Sequence, residues 1–263
     1  MRDAGVVAAT LIGSAAVIAA AMVFVLWRMH RTRRVTVIDT VWGAGFAAVA
    51  VTGLAITWNG DDNALRALLA VLPGVWGLRL AVHLGLRNRG SDEDRRYADL
   101  FERHGGATVR TAAVWVCLPQ GVGMWVVALP IMLAQASTAQ AGWWLVPGMA
   151  LWLLGMYFET VGDAQLARFR ADPANRGRVL DTGLWRYTRH PNYFGDACVW
   201  WGIYLCACSA PIAALAFLSP VAMTWLLARG TGKPLMERHL DDRPEYAAYV
   251  RRTSGFVPLP PRD

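Results

Sequence analysis

Apolar blocks of about twenty residues, separated by short arginine-rich segments, run along nearly the whole chain. A hydrocarbon core about 30 Å thick is crossed by about 20 apolar residues in a helix, so blocks of this length predict membrane spans. Only 17% of the 263 residues are charged, where a soluble domain carries about 25%, and those few are clustered. A soluble helical protein with a very large core would not gather its charges this way.

The blocks predict seven spans. Gly5–Trp27 is the first, closed by the basic Arg28–Arg34; a cleaved signal peptide would carry its basic residues before the apolar run, not after it. Val35–Trp58 is the second, and Asn59–Asn63 its polar turn. Ala64–Leu86 is the third, interrupted by Pro73-Gly74. Thr111–Leu133 and Trp143–Val161 are the fourth and fifth. Gly195–Leu227, broken by Pro211 and Pro220, reads as two shorter spans.

Charge gives the orientation. With the N-terminus outside, the inner segments 28–34, 87–110, 162–194 and 228–263 hold 4, 6, 6 and 7 lysines and arginines, 23 of the 26 in the chain. Arg2, Arg66 and Arg79 remain, and Asp61 and Asp62 fall outside. Every loop then obeys the positive-inside rule. The expected fold is therefore an all-α, polytopic seven-helix bundle in one membrane domain (1–263), N-terminus out and C-terminus in. Its net charge of +7 fits anionic lipid headgroups better than nucleic acid. Cys117, Cys198, Cys206 and Cys208 lie in apolar runs without ligand spacing and read as small buried hydrophobes.

Ionisable residues within spans are expensive and should be paired, interfacial or cavity-lining. Asp39, near the start of span two, is a helix-start carboxylate, a cavity acid or the partner of a buried arginine, with Arg79 the first partner to test. Gly43 and Gly45 would admit close backbone approach. Arg79, His83 and Arg87 share one helical face beside Trp76, and Tyr157 and Glu159 approach the inner end of span five. In the first inner segment, Arg89, Arg95 and Arg96 suit phosphate, Asp92–Asp94 would tether them, and Tyr97 is free to stack.

The densest polar stretch is Trp185–Asp196, WRYTRHPNYFGD. Upstream, Asp163 begins a helical stretch bearing Arg168 and Arg170 that Pro173 should end, and Gly177 and Gly183 mark turns. Arg186, Tyr187, Arg189 and His190 crowd around Pro191, which should open the next helix. Asn192 then lies at a helix start, where free N–H groups attract anions; Tyr193 offers a hydroxyl and Gly195 close approach. In the tail, Glu237, His239, Arg243, Tyr246 and Tyr249 would fold back to complete the site, while Arg251-Arg252 reads as an inner-face anchor. No GxGxxG, P-loop, HExxH or GxSxG occurs.

These residues carry a specific resemblance. RYTRHPNYFGDACVWWGIYL (Arg186–Leu205), WGLRLAVHLGLRNRG (Trp76–Gly90) and PEYAAYVRRTSGFVPLPP in the tail resemble the bacterial branch of the membrane steroid 5-alpha-reductase family, over about residues 35–260. The resemblance implies NADPH-dependent reduction of a carbon–carbon double bond conjugated to a carbonyl, in a 3-oxo-Δ4-steroid or similar lipophilic enone that enters from the bilayer. It implies a multi-pass protein of the bacterial inner membrane with its cofactor site facing the cytoplasm, membrane lipids around it and no obligate protein partner.

By resemblance, Arg89, Asp163, Arg168, Arg170, Tyr187, Arg189, His190, Asn192, Asp196 and Glu237 serve the cofactor, with Asn192 beside the nicotinamide. Asp39, Tyr157 and Tyr193 are the candidate catalytic groups. Where those reductases use a glutamate and a tyrosine near the substrate carbonyl, this chain has Asp39 and no tyrosine on the Arg79 helix. Isoprenylcysteine carboxyl methyltransferases carry a similar RHPxYxG element and bind S-adenosylmethionine there. A methyltransferase acting on a lipid or prenylated substrate, and a non-enzymatic lipid-binding protein, are thus the alternatives.

Overall fold

A computed structural model describes residues 4–58, 63–90, 92–138, 140–230, 232–237 and 244–262. Asp61, Asp62, His239, Arg243 and Arg2 lie outside the described residues. The protein is all-α and polytopic. Among the described residues the β pairing is one isolated bridge, Thr188 to Ser254. Among the described residues, six helical segments are long and apolar enough to cross a membrane: Ala4–Thr32, Val37–Thr57, Ala64–Arg87, Val109–Gln135, Leu145–Ala171 and Pro211–Ala228. Two compact units divide the chain, Met1–Leu145 with Ile203–Ser219, and Val146–Gly202 with Pro220–Asp263.

The first unit contains α1 (Ala4–Thr32), α2 (Val37–Thr57), α3 (Ala64–Arg87), α4 (Arg95–Arg103), α5 (Val109–Ala112) and α6 (Leu118–Gln135), with a π-helical turn at Ala113–Cys117. Along α1 the buried residues Thr10, Ser14, Ile18, Met22, Val25 and Met29 make one stripe at helical spacing. Ile12, Val23, Phe24 and Trp27 on its other faces are exposed, an arrangement that suits a helix set in lipid.

The α2–α3 contact is set by glycine. A Cβ on Gly43 would collide with the Gly77 carbonyl, and one on Gly77 with the Gly43 carbonyl, so the two backbones touch as the small residues of α2 predict. Gly45 likewise makes room for the Met124 side chain. Beyond this contact Phe46 packs edge-on to Trp76, ring centres 5.7 Å apart.

Near the other end of α3, Arg66 is 4% exposed and donates to the Gln135 carbonyl at 3.0 Å, Asn63 Oδ1 at 2.7 Å and the Ser137 carbonyl at 2.8 Å. The expected interruption at Pro73-Gly74 does not occur: α3 runs through Pro73. One proline removes a single N–H from the ladder, and neighbouring helices sustain the rest.

The second unit contains nearly all of α7 (Leu145–Ala171), most of α8 (Pro191–Ala207) and of α9 (Leu218–Ala228), and the tail helices α10 (Lys233–Glu237) and α11 (Pro244–Arg252). The fifth span and the stretch expected to begin at Asp163 are one unbroken helix, because nothing between Val161 and Asp172 breaks helical geometry; α7 stops two residues before Pro173, as that proline requires.

Gly148, Gly155 and Gly162 on α7 meet α8 at seven-residue intervals. A Cβ on Gly155 would sit 2.5 Å from the Gly195 carbonyl oxygen, and one on Gly202 would sit 2.7 Å from that of Gly148. Pro191 opens α8 as expected. Gly177 and Gly183 turn the chain with φ of 81° and 61°, the left-handed region that glycine enters without strain.

Candidate functional site

Two polar centres stand out, one in each unit. In the first unit, Glu93 accepts hydrogen bonds from the Val35 and Thr36 N–H groups and the Thr36 hydroxyl, satisfying donors at the start of α2. This holds the segment before α4 against α2. In α4, Asp94 caps the helix by accepting from the Arg96 N–H at 2.9 Å and also takes the Arg96 side chain at 3.0 Å.

Arg96 thereby reaches Asp39, its Nη2 2.9 Å from Oδ2. Tyr97, the next residue, donates its hydroxyl to the other Asp39 oxygen at 2.6 Å. Gln120 in α6 donates to the Tyr97 hydroxyl oxygen at 3.3 Å, and Arg87 lies 4.0 Å from Asp39. Asp39 is thus the carboxylate partner of an arginine, but that arginine is Arg96 from the inner segment. On α3 it is Arg87, eight residues after Arg79, that comes to 4.0 Å from Asp39.

The electrostatics of this group are consistent. Burial opposes charge on Arg96, but its bond to Asp94 and the charge of Asp39 outweigh this and hold the guanidinium firmly protonated. Burial opposes ionisation of Asp94 as well, and Arg96 outweighs it and lowers its pKa. Burial and the Asp39 charge push the Tyr97 phenol well above its ordinary value. At neutral pH Tyr97 is therefore a neutral hydroxyl, a hydrogen-bond donor kept away from water.

In the second unit, the stretch Trp185–Asp196 lies between α7 and the tail. Trp185 is buried and donates its indole N–H to the Gly162 carbonyl at 3.1 Å. The Thr188 hydroxyl donates to the Phe256 carbonyl at 2.8 Å, the Arg189 N–H to that of Ser254 at 2.9 Å, and the Leu259 N–H to that of Tyr187 at 3.0 Å.

The Arg189 side chain donates to Glu237 Oε1 at 2.9 Å and to the Thr253 and Val250 carbonyls at 2.7 and 3.3 Å. His190 Nε2 shares the same Glu237 oxygen at 3.0 Å, and its ring stacks on Tyr193 at 5.3 Å, 3° from parallel. Tyr249 donates to the Trp185 carbonyl. Arg189 is thus the centre of a clamp that holds the C-terminal segment.

Burial lowers the pKa of His190, more than Glu237 raises it. A neutral imidazole facing a carboxylate must place its proton on Nε2. Burial alone would raise the Glu237 carboxyl, but the bonds from His190 and Arg189 and the Arg189 charge bring it down to about 2.

Beside the clamp, Asn192 on the first turn of α8 donates to Asp163 Oδ1 at 3.2 Å and accepts from the Tyr193 N–H at 3.1 Å. Asp163, Asp196 and Glu159 are buried, at 8%, 9% and 3% exposure, among the glycines of α7 and α8.

The structure therefore brings together Asp163 with Asn192, Arg189 with His190 and Glu237, and Asp39 with Arg87, Arg96 and Tyr97. Asp196 is buried on α8 and Tyr193 stacks on His190, while the remaining expected site residues lie on the surface: Arg168 and Arg170 are exposed on the last turn of α7, Arg89 is exposed just past α3, and Tyr187 and Tyr157 are 43% and 55% exposed. Sequence reasoning missed Gln120. An amide inside an otherwise apolar span was the available signal, because such a group needs a partner there.

No curated protein and no solved structure matches the chain. Residues 23–253 match a family model described as a protein of unknown function, DUF1295, in keeping with the resemblance of its motifs to that branch of the steroid 5-alpha-reductase superfamily, and the chain belongs to that family.

Proposed function

We propose that this protein is an NADPH-dependent reductase of lipophilic enones, working in the membrane with the cofactor drawn from the cytoplasm. Family membership links the chain to an oxidoreductase-like superfamily, and the polytopic apolar architecture suits a lipid-soluble substrate. The observation that carries the reading is the Asp39–Tyr97 pair, 2.6 Å apart. The reductases that this chain resembles use a carboxylate and a tyrosine at the substrate carbonyl. Here the carboxylate comes from α2 and the tyrosine from α4.

Bound NADPH would supply a hydride to the β-carbon of the enone, leaving NADP+, and a proton drawn from solvent would complete the α-carbon. On hydride transfer negative charge develops on the carbonyl oxygen, and a neutral, water-poor hydroxyl is the group suited to meet it. Tyr97 is such a hydroxyl. Asp39 orients it, Arg96 balances the Asp39 charge, and Gln120 fixes the hydroxyl oxygen from the other side.

For the cofactor, the donor chemistry fits in part. Arg168, Arg170, Arg186 and Arg89 offer exposed guanidiniums suited to phosphates. Asn192, steadied by Asp163 beside Asp196, offers an amide for the nicotinamide. Arg189, His190 and Glu237 are spent on one another and on the tail, so we assign them to holding that segment, with Tyr187 beside them. Tyr193 stacks on His190 and Tyr157 faces outward, so neither is our choice of donor.

We also propose seven spans, N-terminus out. The seventh is α8, whose 17 residues reach about 25 Å at 1.5 Å per residue, near the lower limit for crossing.

The test is turnover by the purified chain in lipid nanodiscs with NADPH and a 3-oxo-Δ4-steroid or simpler enone, the saturated ketone being identified by mass spectrometry. Tyr97→Phe and Asp39→Asn should each lower kcat by about 10²–10³ while NADPH binding persists. Full activity of Tyr97→Phe would remove the donor role. Binding of S-adenosylmethionine in place of NADPH would replace hydride transfer with methyl transfer.

A further inference from the structure

The end of α9 forms a groove that neither polar centre uses. It has a volume of about 290 Å³ and is lined by Trp201, Val221, Thr224, Trp225, Ala228 and Arg229. The side-chain polar groups of Trp201 and Thr224 are satisfied within the wall. The Trp201 indole N–H donates to the Thr224 hydroxyl at 3.0 Å, and that hydroxyl donates to the Pro220 carbonyl at 2.8 Å. What the wall offers a ligand is therefore apolar, two indole faces and aliphatic carbon. Trp225 is 58% exposed and leaves the groove open along its side.

The exception is Arg229. It follows the last residue of α9, at the end of a segment long and apolar enough to span a membrane. Two carbonyls in the last turn of that helix are met by main-chain donors: Arg229 and Gly230 N–H on Trp225 at 2.8 and 2.9 Å, and Gly232 N–H on Leu226 at 3.0 Å. The guanidinium is not needed to cap them. Among the described residues no carboxylate pairs with it. A guanidinium at the membrane interface, at the head of an apolar groove flanked by tryptophans, complements an anionic head joined to a hydrocarbon tail.

We propose that this groove binds one anionic phospholipid, the phosphodiester on Arg229 and an acyl chain along Trp225, Val221 and Trp201. The site is independent of the proposed reduction and goes beyond it: its ligand is a resident lipid, recognised by charge, and not a reactant.

Native mass spectrometry of the full chain in detergent tests this with phosphatidylglycerol and phosphatidylcholine of identical acyl chains. The expected result is one retained phosphatidylglycerol, bound at least tenfold more tightly than phosphatidylcholine. Arg229→Gln should abolish that preference by weakening phosphatidylglycerol alone, and Arg229→Lys should keep most of it. Ala228→Phe fills the groove without touching the charge and should weaken both lipids.

Equal binding of the two lipids by the unaltered chain would overturn the proposal. So would unchanged phosphatidylglycerol binding in Ala228→Phe, since Arg229 would then be a general surface anchor without a groove. Monodisperse elution of each variant checks its folding. Should Arg229→Gln aggregate, Ala228→Phe and the preference of the unaltered chain still decide the matter.

Discussion

Both polar centres contain an arginine, a carboxylate and a tyrosine, yet they are put together differently. Around Arg189 the donors are consumed: one carboxylate oxygen and two main-chain carbonyls take the guanidinium, and the neighbouring histidine takes the same carboxylate. Around Arg96 the guanidinium is divided between two carboxylates, and Asp39 spends its remaining oxygen on a phenol. The first pattern fixes main chain to main chain. The second concentrates side-chain polarity on one hydroxyl. An arginine whose partners are carbonyls of a distant segment is a fastening, whereas one whose partner orients a neutral acid is, on the proposed reading, equipped for chemistry.

Arg189→Ala is the severest way to break the contrast. It strips the partly exposed Glu237 of its guanidinium partner, leaving, among the described residues, only Lys233 at 3.6 Å as a fixed counter-charge; breaking a fully buried pair costs about 3–5 kcal/mol, and part exposure reduces this. The thermal unfolding temperature should fall and residues 244–262 should become protease-sensitive. Arg189→Lys should rescue little, because an ammonium cannot reproduce the fork that meets three acceptors. Protection of the tail in Arg189→Ala would show that the clamp is not what holds it.

Acid should act on the same centre. Glu237, lowered to about 2 from an ordinary 4.5, contributes stability that is fully present above about pH 4.5 and is lost as pH falls through about 2. Allowing for its part exposure this amounts to roughly 2 kcal/mol. His190, lowered from 6.5 by burial, has the same sign: its contribution is complete above that value and declines below it. Tail release followed by proteolysis should therefore begin below about pH 6.5 and steepen below 4.5. A profile flat down to pH 3 would contradict both.

The smallest effect is the most discriminating. Gln120→Leu removes one hydrogen bond to Tyr97, worth about 1 kcal/mol in stability. On the proposed reading it should lower kcat several-fold with KM little changed. A loss of stability as large as that of Arg189→Ala, with turnover intact, would make the Asp39 centre a second fastening and erase the distinction.

The helices were legible because lipid leaves little choice. Block length, clustered arginines and prolines such as Pro173 and Pro191 mark where helices start and stop through local chemistry. The continuity of α3 through Pro73 was not legible, because a single proline is carried by neighbours that lie far away in sequence. The same holds for the site. Asp39 declares itself as a charge in a span, but that Arg96 and Tyr97 reach it depends on Glu93 and Asp94 fastening α4 to the start of α2, a contact across 57 residues. Arg189 and His190 look from sequence like ligands for an anion. Only the returning tail, with Glu237 and the Thr253 carbonyl, reveals what they hold.

The glycines between α7 and α8 have a further consequence. Gly148, Gly155 and Gly162 repeat at intervals of seven, and so do Gly195 and Gly202. An antiparallel pair built on such a repeat has a second solution: sliding one helix by a heptad, about 10 Å at 1.5 Å per residue, brings Gly162 to Gly195 and Gly155 to Gly202, with the backbones again in contact. Close fit alone therefore does not choose the alignment. The hydrogen bond from Asn192 to Asp163 does, because the slide would carry Asn192 away from that carboxylate and toward Arg170. A polar pair within an apolar seam selects one alignment among near-equals, as a single buried asparagine does in coiled coils. Asn192→Leu should accordingly loosen the uniqueness of this helix pairing as well as remove an amide, an outcome that cysteine crosslinking between α7 and α8 would register as a second set of bridges one heptad away.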